Sequence, residues 1–154
     1  VQCAASGNKT DGELDSVCRD NLIRLKAQLP SFVDLKENIL ATNEFCSQFQ
    51  GAICLLLYDR TAYRDKFSAV ALQAMQCGAP IITVRDTWMG DLVSFHGSGE
   101  LVDGNEIGEL HSAVKKVRSN YTDYRKRAIA AGEKLAAIHQ PKSTLKLLSS
   151  GISR

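Results

Sequence analysis

The chain has 154 residues, of which 44% are hydrophobic and 23% are charged. This length is typical of one globular domain with a substantial core, and the composition excludes intrinsic disorder and collagen-like or coiled-coil architectures. Nineteen Lys and Arg residues against 17 Asp and Glu leave a formal net charge of +2, and the basic residues are scattered along the chain. Nucleic acid is therefore a poor candidate for a partner.

The longest apolar stretch, residues 51–58, is far shorter than the roughly 20 residues that cross a bilayer, and no basic-then-apolar leader opens the chain. We therefore expect a cytoplasmic protein. The five cysteines form no Cys-x-x-Cys pair, which favours reduced thiols that pack as small hydrophobes. The three histidines are unclustered, so we expect no metal site. The first residue is Val, which suggests a piece of a longer protein.

Segments with the apolar pattern of strands alternate with segments that have the pattern of helices. Strands are predicted at residues 1–5, 31–35, 52–57, 80–84 and 100–102. Helices are predicted at residues 14–29, 42–49, 68–77 and 89–95, and at 107–117 and 124–138 within a helical C-terminal part, 105–150. The unbroken apolar run 52–57 is typical of a parallel strand buried on both faces. The alternation predicts one Rossmann-like, three-layer α/β domain over residues 1–154, with a parallel sheet between helices.

Ligands of such sheets bind beyond the carboxyl ends of the strands, which predicts sites in the loops 6–11, 58–68 and 85–90. Loop 58–68 contains two Tyr, two Asp, two Arg and a Lys. These residue types stack on rings and pair with phosphate, although a merely solvated loop is the alternative. In loop 85–90, Trp88 either stacks on a nucleobase or covers the core or a domain interface, and we favour the latter.

The sequence from Asp65 to Ile82 resembles the Glu-x7-Glu segment of retaining GT-B glycosyltransferases of the family 4 (group 1) type. In that family a helix beginning near a Phe-Gly or Ser-Gly pair runs into Glu-Ala-Met-Ala-Cys-Gly-x-Pro-Val-Ile, and this chain has Gln-Ala-Met-Gln-Cys-Gly-Ala-Pro-Ile-Ile at residues 73–82. The resemblance continues through 89–93, 97–103 and 109–116, and it covers about residues 51–121.

The resemblance implies the C-terminal, donor-binding half of a GT-B enzyme. Such a domain binds a nucleotide-diphosphate sugar, while an N-terminal domain of the same or a partner chain holds a glycan or lipid-linked acceptor. Transfer proceeds with retention, without a metal and without a cofactor. The resemblance also implies a role in polysaccharide biosynthesis. The helices of 105–150 are the most basic part of the chain, which is typical of a solvated face or of peripheral contact with anionic lipid at the inner face of a membrane.

The resemblance places Asp65 where the family's first Glu meets the sugar, as the catalytic position, and Gln73 where the second Glu grips the ribose hydroxyls. The backbone N–H groups of Ser68, Ala69 and Val70, at the start of a buried helix, are candidate donors to the diphosphate. Further candidates are Arg64 or Arg60 for the phosphates, Tyr58 or Tyr63 for the base or the sugar, and Gly7 as part of the cleft; for the arginines and tyrosines a surface role is the alternative.

Two features depart from the family's pattern. Asp65 is one methylene shorter than Glu, and the Gln73 amide is a weaker acceptor than a carboxylate. The chain also lacks the upstream Gly-Arg and Lys-Gly stretch that supplies cations for the diphosphate, so we expect the chain alone to be inactive or nearly so. The main alternative is a non-catalytic α/β module that binds a nucleotide or a partner chain through a decayed donor site. An enzyme of similar architecture, such as a sugar-nucleotide epimerase, is a third and weaker hypothesis.

Overall fold

The computed structural model describes residues 20, 21, 23–35, 40–104 and 106–138, and the chain divides into two compact units, residues 1–41 and 42–154. In the first unit, residues 20, 21 and 23–28 are helical (α1). A turn follows, in which the N–H of Val33 donates to the carbonyl of Pro30 at 2.9 Å. The strand predicted at residues 31–35 is therefore wrong, because the backbone after Pro30 bonds locally. The predicted strand 1–5, loop 6–11 and Gly7 lie outside the described residues.

In the second unit, strands and helices alternate as predicted, and they differ from the predicted elements only by a few terminal residues. The strands are β1 (Cys54–Leu56), β2 (Ile81–Val84) and β3 (Gly99–Val102). The helices are α2 (Thr42–Ser47), α3 (Ala69–Gln76), α4 (Trp88–His96), α5 (Ile107–Ser119) and α6 (Tyr121–Ile138).

The three described strands form a parallel sheet in the order β1-β2-β3, with Cys54 opposite Ile81 and Ile81 opposite Gly99. All four residues of β2 are buried. Ile81 packs into a cluster with residues of α3, α4 and α6, whereas Ile82 and Val84 pack into a second cluster with residues of α5 and α6. Successive side chains of a strand point to opposite faces, so helices cover both faces of β2. The predicted Rossmann-like α/β fold is confirmed.

The expectation that residues 52–57 are buried on both faces is wrong. Leu55 is 47% exposed, and in β1 only Leu56 is buried. The physical reason is position: β1 lies at an edge of the described three-stranded sheet, whereas β2 has a neighbouring strand on each side.

A polar contact joins β3 to the two C-terminal helices. The Tyr124 hydroxyl donates to a carboxylate oxygen of Glu100, and the other oxygen accepts from the Lys116 ammonium at 2.9 Å. Burial, followed by the contact with Glu100, raises the pKa of Tyr124 to about 12. The hydroxyl therefore remains a donor at neutral pH, and it ties α6 to the sheet.

Helices α3 and α6 approach each other at Gly132. A Cβ atom at this position would lie 2.6 Å from the backbone nitrogen of Gln76. Only glycine allows two helix backbones to approach this closely, so Gly132 fixes how α3 sits against α6.

We expect Gly132→Ala to lower the free energy of unfolding by about 1–3 kcal/mol, because the added methyl group forces α3 and α6 apart. The matched control is Gly108→Ala in α5, where a Cβ meets nothing within 4 Å. The control should raise stability by roughly 0.5–1 kcal/mol, since alanine is the better helix former. Urea unfolding monitored by circular dichroism measures both changes, and equal effects of the two substitutions would contradict the close approach.

Candidate functional site

The loop of residues 58–68, which we call the β1–α3 loop, has a defined internal structure. The Asp59 carboxylate accepts from the N–H of Ala62 at 2.7 Å, and the Asp59 carbonyl accepts from the N–H of Tyr63 at 3.0 Å. The rings of Tyr58 and Tyr63 stack with centroids 4.3 Å apart, and the Lys66 ammonium lies 5.1 Å from the Tyr63 centroid. Each tyrosine thus has one ring face covered by the other, and their predicted contact with a base or sugar stays a prediction.

The loop ends at the N-terminus of α3, where Ser68 is the N-cap residue. Its hydroxyl accepts from the N–H of Ala71, and its carbonyl accepts from the N–H of Leu72, each at 3.3 Å. Across the described residues, the N–H groups of Ala69 and Val70 donate to no acceptor. Two backbone donors therefore remain unpaired at the positive end of the helix dipole, at the carboxyl edge of the sheet. This is the arrangement that binds anions.

Gln73 lies one turn beyond Ala69 on the same side of α3, because residues four apart share a helix face. The side chain is partly buried, and its amide makes no hydrogen bond within the described residues. Arg64 and Asp65 are exposed, and neither forms an ion pair in the part of the chain that the structure describes. The structure thus brings Gln73 and Ala69 together, and it leaves Arg64 and Asp65 pointing to solvent.

Arg60 joins the three loops that follow the strands. Its guanidinium donates to the carbonyl of Asp103 at 2.6 Å and lies 3.4 Å from the carboxylate of Asp86. Arg85 lies 3.0 Å from the carboxylate of Asp103, and Glu109 accepts from the N–H of Asp103 at 2.9 Å. We call Arg60, Arg85, Asp86 and Asp103 the strand-end cluster. Arg60 is therefore already paired, and Arg64 is the better candidate for pairing with phosphate.

Sequence reasoning missed the strand-end cluster, although its members carry a common signal. Arg60, Asp86 and Asp103 each follow a predicted strand within a few residues. Because the carboxyl ends of parallel strands meet at one edge of the sheet, opposite charges at these positions are placed to pair.

An aromatic pair borders the N-terminus of α3. The rings of Phe67 and Trp88 lie 5.0 Å apart between centroids, and Phe67 is 54% exposed. Trp88 is partly buried and packs against the core, as we favoured. The preceding residue, Thr87, donates to the Val84 carbonyl at 2.8 Å and accepts from the N–H of Gly90 at 3.0 Å, which fixes the start of α4.

Among the described residues, no group of three or more His, Cys, Asp or Glu could hold a metal ion. In the described part of the chain, no helix is both long enough and apolar enough to span a membrane.

The family profile described as glycosyl transferases group 1 matches residues 47–135, more than half of the chain. The matched region includes the β1–α3 loop, α3, the strand-end cluster and the aromatic pair. No significant match was found among curated proteins or among solved structures.

We expect Arg60→Gln to speed deuterium exchange at the backbone amides of the β1–α3 loop, because it removes the contacts with Asp86 and Asp103. The free energy of unfolding should change by less than about 1 kcal/mol, since the ion pairs are exposed. Hydrogen-exchange mass spectrometry makes the first measurement, and urea unfolding makes the second. Arg64→Gln is the matched control and should leave exchange unchanged. An equal response of the loop to both substitutions would show that Arg60 does not hold it.

Proposed function

The chain belongs to the group 1 glycosyltransferases, and we propose that it is the donor-binding domain of a retaining GT-B enzyme, holding a nucleotide-diphosphate sugar. The observation that carries the proposal is the N-terminus of α3 at the carboxyl edge of the sheet, where the N–H groups of Ala69 and Val70 donate to no acceptor among the residues that the structure describes. A diphosphate is a dianion of a size that suits several backbone donors and a helix dipole.

The diphosphate is the leaving group of the transfer. The bond between the anomeric carbon and the phosphate oxygen breaks, a bond to the acceptor hydroxyl oxygen forms, and the hydroxyl proton is lost. Negative charge develops on the diphosphate, so donors fixed in place before the reaction stabilise the transition state. We assign this role to the amides of Ser68, Ala69 and Val70 and to the guanidinium of Arg64, without a metal or a cofactor.

The rest of the donor lies along α3 and the β1–α3 loop. Gln73, on the same helix side as Ala69, is our candidate for hydrogen bonds with the ribose diol, because an amide both donates and accepts. Asp65 is the candidate that meets the transferred sugar. The stacked pair Tyr58–Tyr63 offers ring edges and hydroxyls to the base or the sugar. Gly7, outside the described residues, is the remaining candidate for the cleft.

The acceptor part of the proposal depends on a second domain. We propose that an N-terminal domain of the same or a partner chain holds a glycan or lipid-linked acceptor, in polysaccharide biosynthesis in the cytoplasm. The chain alone is then inactive or nearly so. The exposed Lys115 and Arg118 of α5 and Lys126 of α6 are candidates for peripheral contact with an anionic membrane.

Two observations favour a second candidate function, a non-catalytic module with a decayed donor site. Gln73 is uncharged where the resembling family has Glu, and Arg60 is paired with Asp86 and Asp103 rather than free. Both features lower the affinity that the site can offer an anion or a diol. Binding measurements on variants of α3 distinguish the two candidates.

We expect Ala69→Pro to weaken nucleoside diphosphate binding by roughly tenfold or more, because proline removes one N–H donor to a charged group. Proline is tolerated at the first position of a helix, and the extended backbone of Ser68 (φ −121°, ψ 109°) suits the residue before a proline. A thermal-shift screen with UDP, GDP, ADP and TDP selects the nucleotide, and isothermal titration calorimetry gives the affinities. Ala69→Ser retains the N–H and should bind like wild type. If the wild type binds a nucleotide and Ala69→Pro binds it equally well, the diphosphate does not lie at the N-terminus of α3. If the wild type binds none of the nucleotides, the decayed module is favoured.

We expect Gln73→Glu to tighten binding of the nucleotide sugar by roughly fivefold to tenfold, since a carboxylate accepts stronger hydrogen bonds from the ribose hydroxyls than an amide does. The matched control is Gln76→Glu, which makes the same chemical change at an exposed position of the same helix. Calorimetry with the donor selected in the nucleotide screen measures both affinities. An equal response of the two variants would show that the added charge, and not the position of Gln73, alters binding.

A further inference from the structure

A surface cavity lies along one side of α5. Residues one and two turns apart on the same side of the helix line it, and its volume is about 490 Å³. This volume falls within the range of roughly 300–1,000 Å³ that is typical of small-molecule sites. We call it the α5 cavity, and its described lining consists of His111, Val114, Lys115, Arg118 and Ser119.

Cations without a carboxylate partner give the α5 cavity its charge. Lys115 and Arg118 are exposed, and within the described residues neither side chain forms an ion pair or a hydrogen bond. Lys116 differs, because its ammonium lies 2.9 Å from the carboxylate of Glu100. The helix dipole favours cations in the last turn, which accounts for Lys116 and Arg118 but not for Lys115. Neighbouring cations on one helix side repel each other, and a bound anion relieves that repulsion.

The α5 cavity also offers hydrogen-bond donors. The Arg118 guanidinium presents its N–H groups in a fixed fork that matches phosphate, and the Lys115 ammonium adds three donors. The imidazole of His111 has a ring N–H in both its neutral and its cationic form. The Ser119 hydroxyl, by contrast, donates to the carbonyl of Lys115 at 3.0 Å, so it serves the helix. Three nitrogen side chains therefore line the cavity, and no carboxylate is among its described lining residues.

An apolar recess adjoins these cations. Arg118 also lines a second cavity, of about 420 Å³, together with Gly51, Ile53 and Tyr121. Ile53 and Tyr121 pack against the core cluster on the α5 side of the sheet. The Tyr121 hydroxyl donates to the carbonyl of Ala52 at 3.2 Å, which holds the ring beside the segment that precedes β1. Arg118 therefore stands between a cationic cavity and a mainly apolar one.

We propose that the α5 cavity binds a phosphate ester. The phosphate group pairs with Lys115 and Arg118, because charge-assisted hydrogen bonds to phosphate are stronger than bonds between neutral groups. The organic part of the ligand lies against Ile53 and Tyr121, where apolar surface is already held in place. Soluble phosphate esters and phospholipid headgroups share this chemistry, and separate probes distinguish them.

This site is separate from the proposed donor site. Helix α5 packs against the core cluster that contains Ile82, whereas α3 packs against the cluster that contains Ile81, on the other face of β2. Gly51 and Ile53 precede β1, so the second cavity lies at the amino end of the strands. The donor site lies at their carboxyl edge. Binding at the α5 cavity therefore neither needs nor occupies the N-terminus of α3.

The test compares two pairs of substitutions in the full chain. The first pair, Lys115→Gln with Arg118→Gln, removes one lysine and one arginine from the α5 cavity. The matched control pair, Arg125→Gln with Lys134→Gln, removes the same residue types from exposed positions of α6. Both pairs lower the net charge equally, and far-ultraviolet circular dichroism shows whether each variant is folded.

Two probes separate the sources of the phosphate ester. Calorimetry with glycerol 3-phosphate tests a soluble ester, and sedimentation with vesicles of equal parts phosphatidylcholine and phosphatidylglycerol tests a headgroup. We expect the wild type to bind at least one probe, and the α5 pair to weaken that binding by roughly tenfold or more, because charge-assisted hydrogen bonds are lost. The α6 pair and Ala69→Pro should bind like wild type. Binding to vesicles alone identifies a headgroup, and binding of glycerol 3-phosphate identifies a soluble ester.

Three results would overturn the proposal. The first is a wild type that binds neither probe, since a merely solvated helix face binds neither. The second is an equal loss of binding with the two pairs, because net charge and not the α5 cavity would then explain it. The third is binding that Ala69→Pro weakens and the α5 pair does not, which places the phosphate at the N-terminus of α3. Comparison with Ala69→Pro thus keeps this test independent of the proposed donor site.

Discussion

The burial of β2 on both faces is the constraint on which the rest of this structure depends. Its four residues are buried, with Ile81 in one cluster of the core and Ile82 and Val84 in the other. A strand buried on both faces requires helices on both sides of the sheet. In a parallel sheet, the crossover connections between strands supply these helices. The crossovers place every loop that follows a strand at one edge of the sheet. The donor site that we propose lies at that edge, because helices cover both faces of β2.

That edge is electrostatically mixed. The strand-end cluster places Asp86 and Asp103 beside Arg60 and Arg85, so its cations are balanced by carboxylates. The N-terminus of α3 offers positive potential without any charged side chain, through the N–H groups of Ala69 and Val70, which have no acceptor in the described part of the chain. We therefore expect a diphosphate to bind at the N-terminus of α3 rather than at the strand-end cluster, because the donors of the helix need not first break a contact with another group. This division explains why Arg64, outside the cluster, is the stronger candidate for a phosphate contact than Arg60.

Sequence alone predicts those features that arise from local pattern. The helix predicted at residues 68–77 matches α3 to within a residue at each end, where Ser68 is the N-cap and Gly78 follows with φ of +78°, because caps and left-handed glycines are properties of a few adjacent residues. The predicted burial of Leu55 was wrong, since burial depends on which strands pair and not on apolar content. The predicted strand after Pro30 was also wrong, because the backbone there forms a turn. The strand-end cluster joins residues far apart in sequence. The roles of Asp65, Tyr58 and Tyr63 stay predictions.

The placement of α3 is fixed at both of its ends. At the N-terminal end, the Asp59 turn and the contacts of Arg60 hold the β1–α3 loop against the loops after β2 and β3. At the C-terminal end, Gly132 brings the backbone of α6 against Gln76, and the N–H of Cys77 donates to the carbonyl of Gln73. Donors held by such contacts need little reorganisation when an anion binds, and this is the condition under which backbone dipoles stabilise developing charge most effectively. The rigidity of a buried helix is thus part of the chemistry that we assign to its N-terminus.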